Sequence, residues 1–206
     1  MKKILLLVVL AIVGVATWYF FETRPKPEVE TPKQQPLAVS QYSSAFNQSV
    51  DKVMQHYYAL SEAFVNWDST AVTQHANALK QSLDSVQYTE LQKDTLIYET
   101  AISYKEPFEK NINIIAGDAA LHQKRLAFNT MSQNMYDLLR TIRYDNQKVY
   151  VQQCPMAFYD TVSGVWLSKT EDIRNPYLGK HHPKYKAGML ACGETAETLD
   201  FAAAQQ

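Results

Sequence analysis

The residues best suited to chemistry lie near the C-terminus, where the chain has both of its cysteines, each close to a methionine. Cys154 precedes Met156 by two positions, and Met189 precedes Cys192 by three. Thiolate and thioether sulfurs are soft donors, and they select Cu(I) or a similar ion over Mg²⁺ or Ca²⁺. Residues two apart share a side of an extended segment, and residues three apart share a face of a helical turn. Each pair is therefore predicted to be able to grip a soft metal ion.

Two adjacent histidines, His181 and His182, lie between these pairs, next to several lysines. Imidazole is a common metal ligand, so both histidines are candidates for the same site. Histidines in a lysine-rich stretch more often belong to a solvated loop. They are therefore weaker candidates than the sulfur donors.

The cysteines also have a second possible role, as a disulfide. In an oxidising compartment this is the commoner state of a cysteine pair. Cys154 and Cys192 are 38 positions apart, and closing a loop of that length stabilises a fold by roughly 3–4 kcal/mol. A reduced pair is able to bind copper and an oxidised pair is not, so both interpretations stay open on the residues alone.

Sequence signatures of catalysis are missing from the chain. It contains no G-x-S-x-G, H-E-x-x-H, phosphate-loop or C-x-x-C-H motif, and Cys154 is not part of a C-x-x-C motif. With 20 basic and 21 acidic residues the net charge is −1, so no global field attracts nucleic acid. We predict a protein that is not an enzyme and that does not bind nucleic acid.

The elements that would position the C-terminal residues are mainly helices. Apolar residues recur at spacings of three and four in four segments, which start near Phe46, Val72, Thr89 and Leu121. Pro107 must kink or end the third segment. An antiparallel four-helix bundle over residues 41–145 is the simplest arrangement of such helices. Residues 146–202 are rich in turn-forming residues and aromatics, and they predict a small loop-rich α+β appendage packed on the bundle in the same domain, followed by a tail at 203–206.

The N-terminus predicts export from the cytoplasm. Two lysines precede an apolar run at residues 4–21, whose length is close to the roughly 20 residues needed to cross a bilayer. Basic residues on that side keep the N-terminus in the cytoplasm. Residues 1–21 are thus a signal anchor or a cleavable signal peptide, and the anchor is favoured. Residues 22–40 are rich in proline and charge and predict a tether that holds a periplasmic domain off the inner membrane.

Several C-terminal motifs resemble those of an uncharacterised family of helical domains. They are Val149–Ala157, which contains Cys-Pro-Met, then Trp166-Leu167-Ser168, Asn175–Lys180, and Met189–Glu194, which contains Met-x-x-Cys-Gly. The stretch Gln123–Ser132 is similar to a further family motif, with one residue inserted. Residues 181–188 depart from the family pattern, because they lengthen the segment before Met189.

The resemblance implies a role in handling soft metals. Proteins of this family are exported by gram-negative bacteria, and the domain is also fused to periplasmic adaptors of copper/silver-type efflux pumps. By this association, Cys154 and Cys192 would be thiolate ligands, with Met156 and Met189 completing the sphere and Trp166 and Tyr177 shielding it. The expected function is a periplasmic copper(I)-binding module that buffers the metal or delivers it to an efflux adaptor or pump. The alternative is a structural or interaction domain stapled by a Cys154–Cys192 disulfide.

Overall fold

The structure, a computed structural model, describes residues 41–202 and the single residue Trp18. Apart from Trp18, the predicted hydrophobic segment and proline-rich tether lie outside the described residues, as does the tail at 203–206. In the part that is described, no helix combines the length and the hydrophobicity needed to cross a membrane.

About half of the fold is helical, with five α-helices followed by a small sheet. The helices are α1 (Ser44–Val65), α2 (Ser69–Asp84), α3 (Thr95–Ser103), α4 (Lys105–Ala116) and α5 (Leu121–Thr141), and a 3₁₀ helix (Tyr88–Lys93) precedes α3. Helix α2 packs against both α1 and α4, and α4 packs against α5.

Local signals explain where the first two helices begin. The Ser43 side chain accepts a hydrogen bond from Phe46 N and caps α1, while Asp68 caps α2 by accepting one from Ala71 N. Such caps satisfy backbone N–H groups that have no partner inside the helix. Within Ser44–Val65, the apolar residues that recur at spacings of three and four from Phe46 are all buried, which confirms the periodicity of this segment; they are Phe46, Val50, Val53, Tyr57, Leu60 and Phe64.

The helix count is a correction to the sequence prediction, because the described residues contain five helices where four were expected. The predicted third segment is divided into the 3₁₀ helix, α3 and α4. The break falls at Tyr104 and leaves Pro107 as the third residue of α4. Proline is tolerated there because N–H groups of a first turn have no intrahelical acceptor. Proline thus marks the start of a helix here instead of a kink within one.

The C-terminal part, predicted as a loop-rich α+β appendage, contains a three-stranded sheet. Strands β1 (Val149–Phe158), β2 (Val162–Ser168) and β3 (Glu194–Leu199) form an antiparallel sheet in the order β2-β1-β3. Across β1 and β2, Cys154 pairs with Gly164 and Gln152 with Trp166, and an irregularity in register follows Cys154.

One hydrophobic core joins the helices to the sheet. The Phe128 ring on α5 lies 5.3 Å from the Tyr57 ring on α1 and 6.1 Å from the Tyr177 ring, measured between centroids. The Tyr57 hydroxyl lies 2.7 Å from Ser132 Oγ on α5 and accepts a hydrogen bond from Leu167 N on β2 at 3.0 Å. The helices therefore hold the edge strand β2, which pairs with the central strand β1 on which Cys154 lies.

Candidate functional site

The two cysteines are joined as a disulfide. Cys154 lies on β1, Cys192 lies just before β3, and their Cα atoms are 5.7 Å apart. Cys154 is 0% exposed, whereas Cys192 is partly buried. The bond fixes the segment before β3 to the central strand of the sheet. It also consumes both thiols, and only a thiolate is a strong metal ligand or nucleophile.

The methionines lie close to the cysteines in sequence and are partly buried against the core. Met156 follows Cys154 on β1, and Met189 lies in a turn in which Cys192 N donates a hydrogen bond to Met189 O at 3.0 Å. This hydrogen bond closes a turn between residues three apart, and the spacing of Met189 and Cys192 predicts such a turn. That both methionines belong to one site with the cysteines stays a prediction.

The histidines are placed in a different setting. His181 is exposed. His182 packs edge-on against the Trp67 ring and stacks on the Tyr185 ring, at centroid distances of 6.0 and 5.1 Å. Within residues 41–202 and Trp18, no three His, Cys, Asp or Glu side chains form a group that could hold a metal ion. The histidines and cysteines are therefore not assembled into such a group in this part of the chain.

The two aromatic residues predicted to shield the sulfur atoms are buried on the same side of the sheet as Cys154. A Cβ atom on Gly164, the partner of Cys154, would lie 2.6 Å from the Tyr177 ring, so this ring occupies the space beside Cys154. A Cβ atom on Gly193 would lie 2.9 Å from the Trp166 ring, so that ring covers the residue next to Cys192. In this structure the two rings cover the neighbourhood of the disulfide.

Asn175 organises the turn that follows, and it is the residue whose importance the sequence reasoning missed. Its Oδ1 accepts hydrogen bonds from Tyr177 N at 2.8 Å and Leu178 N at 3.0 Å, and its Nδ2 donates to Cys192 O at 2.9 Å. The side chain is 0% exposed. The Asn-Pro pair predicted only a turn; the usable signal was that asparagine often bonds the backbone two residues ahead in such turns.

The same turn, residues 175–180, also forms hydrogen bonds with the helical part of the fold. The Pro176 carbonyl accepts a hydrogen bond from Arg125 Nε at 3.1 Å, and the Leu178 carbonyl accepts one from Trp67 Nε1 at 3.0 Å. Gly179 has φ +60° and lies so close to α1 that a Cβ atom would come within 2.6 Å of Val65 O. The turn therefore links the disulfide to α1 and α5 through direct hydrogen bonds.

A groove of about 840 Å³ separates α1 from the end of β2. Its two carboxylates are already engaged: Glu62 accepts hydrogen bonds from Arg174 Nε and Nη2, and Asp51 accepts hydrogen bonds from Tyr144 and Asn146. The Arg174 bonds lower the pKa of Glu62 against the opposing effect of burial, which is the largest single influence on it. In this groove the charge of Glu62 is thus paired with Arg174, whereas the Asp51 carboxylate is hydrogen-bonded to two neutral side chains.

Comparison with known proteins finds a similarity over the helical part of the chain. Residues 53–147 match a family described as "Protein of unknown function (DUF3347)". No curated protein and no solved structure shows significant similarity to the chain. The match ends before β1, so it does not include the cysteine motifs. Over residues 53–147, the chain is thus similar to an uncharacterised domain of unknown function, DUF3347.

Proposed function

We propose that the chain is a non-enzymatic interaction domain that works outside the cytoplasm with Cys154 and Cys192 oxidised. The observation that carries this proposal is the disulfide between a fully buried Cys154 and the segment before β3. Disulfides persist in oxidising compartments such as the periplasm and are rare in the cytosol. The bond serves as a staple for the C-terminal segment, and binding takes place at the folded surface of the domain.

The surroundings of the disulfide support a structural role. The carbonyl of Cys192 accepts a hydrogen bond from the buried Asn175 side chain, and the rings of Trp166 and Tyr177 pack around the neighbouring glycines. A redox enzyme needs a reactive cysteine with an accessible sulfur and a depressed thiol pKa. Burial of Cys154 works against both requirements.

The proposed location follows from the N-terminal sequence together with the disulfide. Residues 4–21 would tether the domain to the inner membrane, and the proline-rich residues 22–40 would give it reach into the periplasm. A tethered domain without an enzyme motif suits a role in docking to a neighbouring envelope protein.

A second candidate function is soft-metal binding by the reduced chain, and the spacing of the cysteines favours it. With Cα atoms 5.7 Å apart, two thiolates would lie close enough to share one Cu(I) ion after reduction. Met156 and Met189 would supply the thioether donors. In this form the chain would pass copper to an efflux adaptor or pump, as the sequence resemblance suggests.

A thiol count combined with a Cu(I) titration tests both candidates. We expect the full-length chain, purified in detergent without reductant, to contain no free thiol and to leave Cu(I) with a chromogenic chelator. The reduced chain should compete for Cu(I), and Cys154→Ser should abolish this competition. Met135→Leu, a change at a buried position on α5, serves as the control.

Two free thiols in the full-length chain purified without reductant, together with Cu(I) binding that depends on Cys154, would overturn the interaction-domain proposal. That result would make metal handling the function. Failure of the reduced chain to bind Cu(I) would remove the second candidate.

A further inference from the structure

The structure contains a buried cation that is not paired with a carboxylate. Arg125, in the second turn of α5, is 5% exposed and forms none of the ion pairs found among the described residues. Its hydrogen bonds go to two backbone carbonyls: Nε donates to Pro176 O at 3.1 Å, and Nη2 donates to Phe64 O at 3.2 Å. Both acceptors are neutral carbonyl oxygens, so these hydrogen bonds supply no counter-charge to Arg125.

Carbonyl dipoles do not neutralise a full charge. Burying a charge without a counterion is costly, and native proteins normally pair such a group. Burial lowers the pKa of Arg125 to about 10, which still leaves it protonated at neutral pH. A guanidinium has five N–H donors, and these two bonds leave three of them unused. Charge and donor capacity therefore remain available to an anion.

Arg125 lies in the wall of a cavity of about 300 Å³. The Trp67 ring stacks on its guanidinium, 4.0 Å from Cζ to the ring centroid, and Phe158 and Tyr177 supply further aromatic surface. No aspartate or glutamate lines this cavity, in contrast to the groove beside α1, which contains Asp51 and Glu62. The cavity therefore combines one uncompensated positive charge with apolar walls.

Two further features of the wall favour an anion. Leu121 and His122, in the first turn of α5, line the cavity, so the positive end of this helix dipole lies there. No side chain caps this end of the helix. His182 Nδ1 accepts hydrogen bonds from the backbone N–H groups of Lys184 and Tyr185, which places the proton of the neutral ring on Nε2 as a donor. Residues 181–188, which depart from the family pattern, thus provide part of this wall through His182.

We propose that this cavity binds a small aromatic monocarboxylate, with the carboxylate on Arg125 and the ring against Trp67 and Phe158. Arginine matches the two oxygens of a carboxylate with parallel N–H donors, and stacked aromatic surface suits a flat apolar body. A volume of about 300 Å³ lies at the lower end of the range for ligand cavities and so limits the ligand to roughly one or two rings. The cavity is formed by residues other than the cysteines, so this inference does not depend on the proposed function.

Calorimetric titration of the full-length chain in nonionic detergent tests the proposal, with benzoate as the probe and benzamide as its neutral analogue. We expect benzoate to bind at least tenfold more tightly than benzamide and more tightly than inorganic phosphate. Arg125→Gln should weaken benzoate binding by roughly ten- to a hundredfold, the range for a hydrogen bond to a charged group. Arg174→Gln, which removes an arginine already paired with Glu62, is the matched control and should leave the affinity unchanged.

Arg125 also donates hydrogen bonds to two backbone carbonyls, so the Arg125→Gln chain could fail to fold. A second variant tests the proposal in that case. Leu121→Trp should fill the cavity from the partly exposed start of α5 and abolish benzoate binding, with the circular dichroism spectrum unchanged. Equal affinity for benzoate and benzamide would overturn the proposal. So would benzoate binding that survives Leu121→Trp, or phosphate binding as tight as that of benzoate.

Discussion

Replacing Asn175 by alanine should destabilise the domain more than almost any other single polar substitution. The change leaves Tyr177 N and Leu178 N without their acceptor and Cys192 O without its donor, in a place where the Asn175 side chain is 0% exposed. An unsatisfied buried polar group costs about 1–3 kcal/mol. Local relaxation and entry of water offset part of the sum, so we expect a loss of about 3–5 kcal/mol.

Chemical and thermal unfolding measure this loss directly. In a domain of this size each kcal/mol corresponds to about 2–4 °C, so Asn175→Ala should lower the Tm by roughly 6–20 °C. Asn175→Asp keeps the acceptor oxygen, loses the donor to Cys192 O and buries a charge, and it too should be clearly destabilising. Asn146→Ala is the matched control, because Asn146 is exposed and makes one hydrogen bond, to Asp51.

The substitution has a second expected effect at a distance from the disulfide. The turn that Asn175 holds also presents Pro176 O to Arg125 and Leu178 O to Trp67. At a temperature where the variant is still folded, benzoate binding should therefore weaken as well. An Asn175→Ala protein that loses less than about 1 kcal/mol would refute the view that this side chain organises the turn, since its three hydrogen bonds would then have been replaced at little cost.

The other predictions concern stability and pH. Cys154→Ala/Cys192→Ala should cost about 4 kcal/mol for a separation of 38 residues and lower the Tm of the oxidised chain accordingly, and equal melting of the variant and the oxidised chain would contradict the staple. Tyr57→Phe should cost about 1–3 kcal/mol in urea unfolding, because it leaves Leu167 N and Ser132 Oγ without the Tyr57 hydroxyl, while Tyr98→Phe on α3 is the control. Hydrogen bonds from Ser43 Oγ and Ser43 N hold the pKa of Glu90 below its ordinary value of 4.5. A carboxyl with a depressed folded-state pKa contributes stability above its unfolded pKa and loses it on acidification. Stability should therefore fall as the pH drops below about 5, and Glu90→Gln should flatten that part of the profile; an unchanged profile would exclude Glu90 as its source.

Much of the helical part was predictable from the sequence because periodicity and capping act locally. The apolar stripe that starts at Phe46 could bury itself only on one face of a helix, and Asp68 could cap the next helix because the N–H group that it accepts from, that of Ala71, lies only three residues away. The third segment was harder to interpret. Pro107 disfavours the interior of a helix and is tolerated in a first turn, and the local pattern does not say which arrangement applies.

The candidate site depended on contacts between residues distant in sequence, and those were decided by the tertiary structure. The sequence by itself determined which side chains could do chemistry, namely two cysteines, two neighbouring methionines and a histidine pair, and it left a disulfide and a metal site as alternatives. Only the packing of β1 against the segment before β3 brought Cys154 and Cys192 together, over 38 residues. The same packing put Asn175 beside Cys192 and placed Arg125 in a cavity without a carboxylate. Pairing of a buried charge depends on what the fold brings within hydrogen-bonding distance, and neither residue type nor local spacing encodes that.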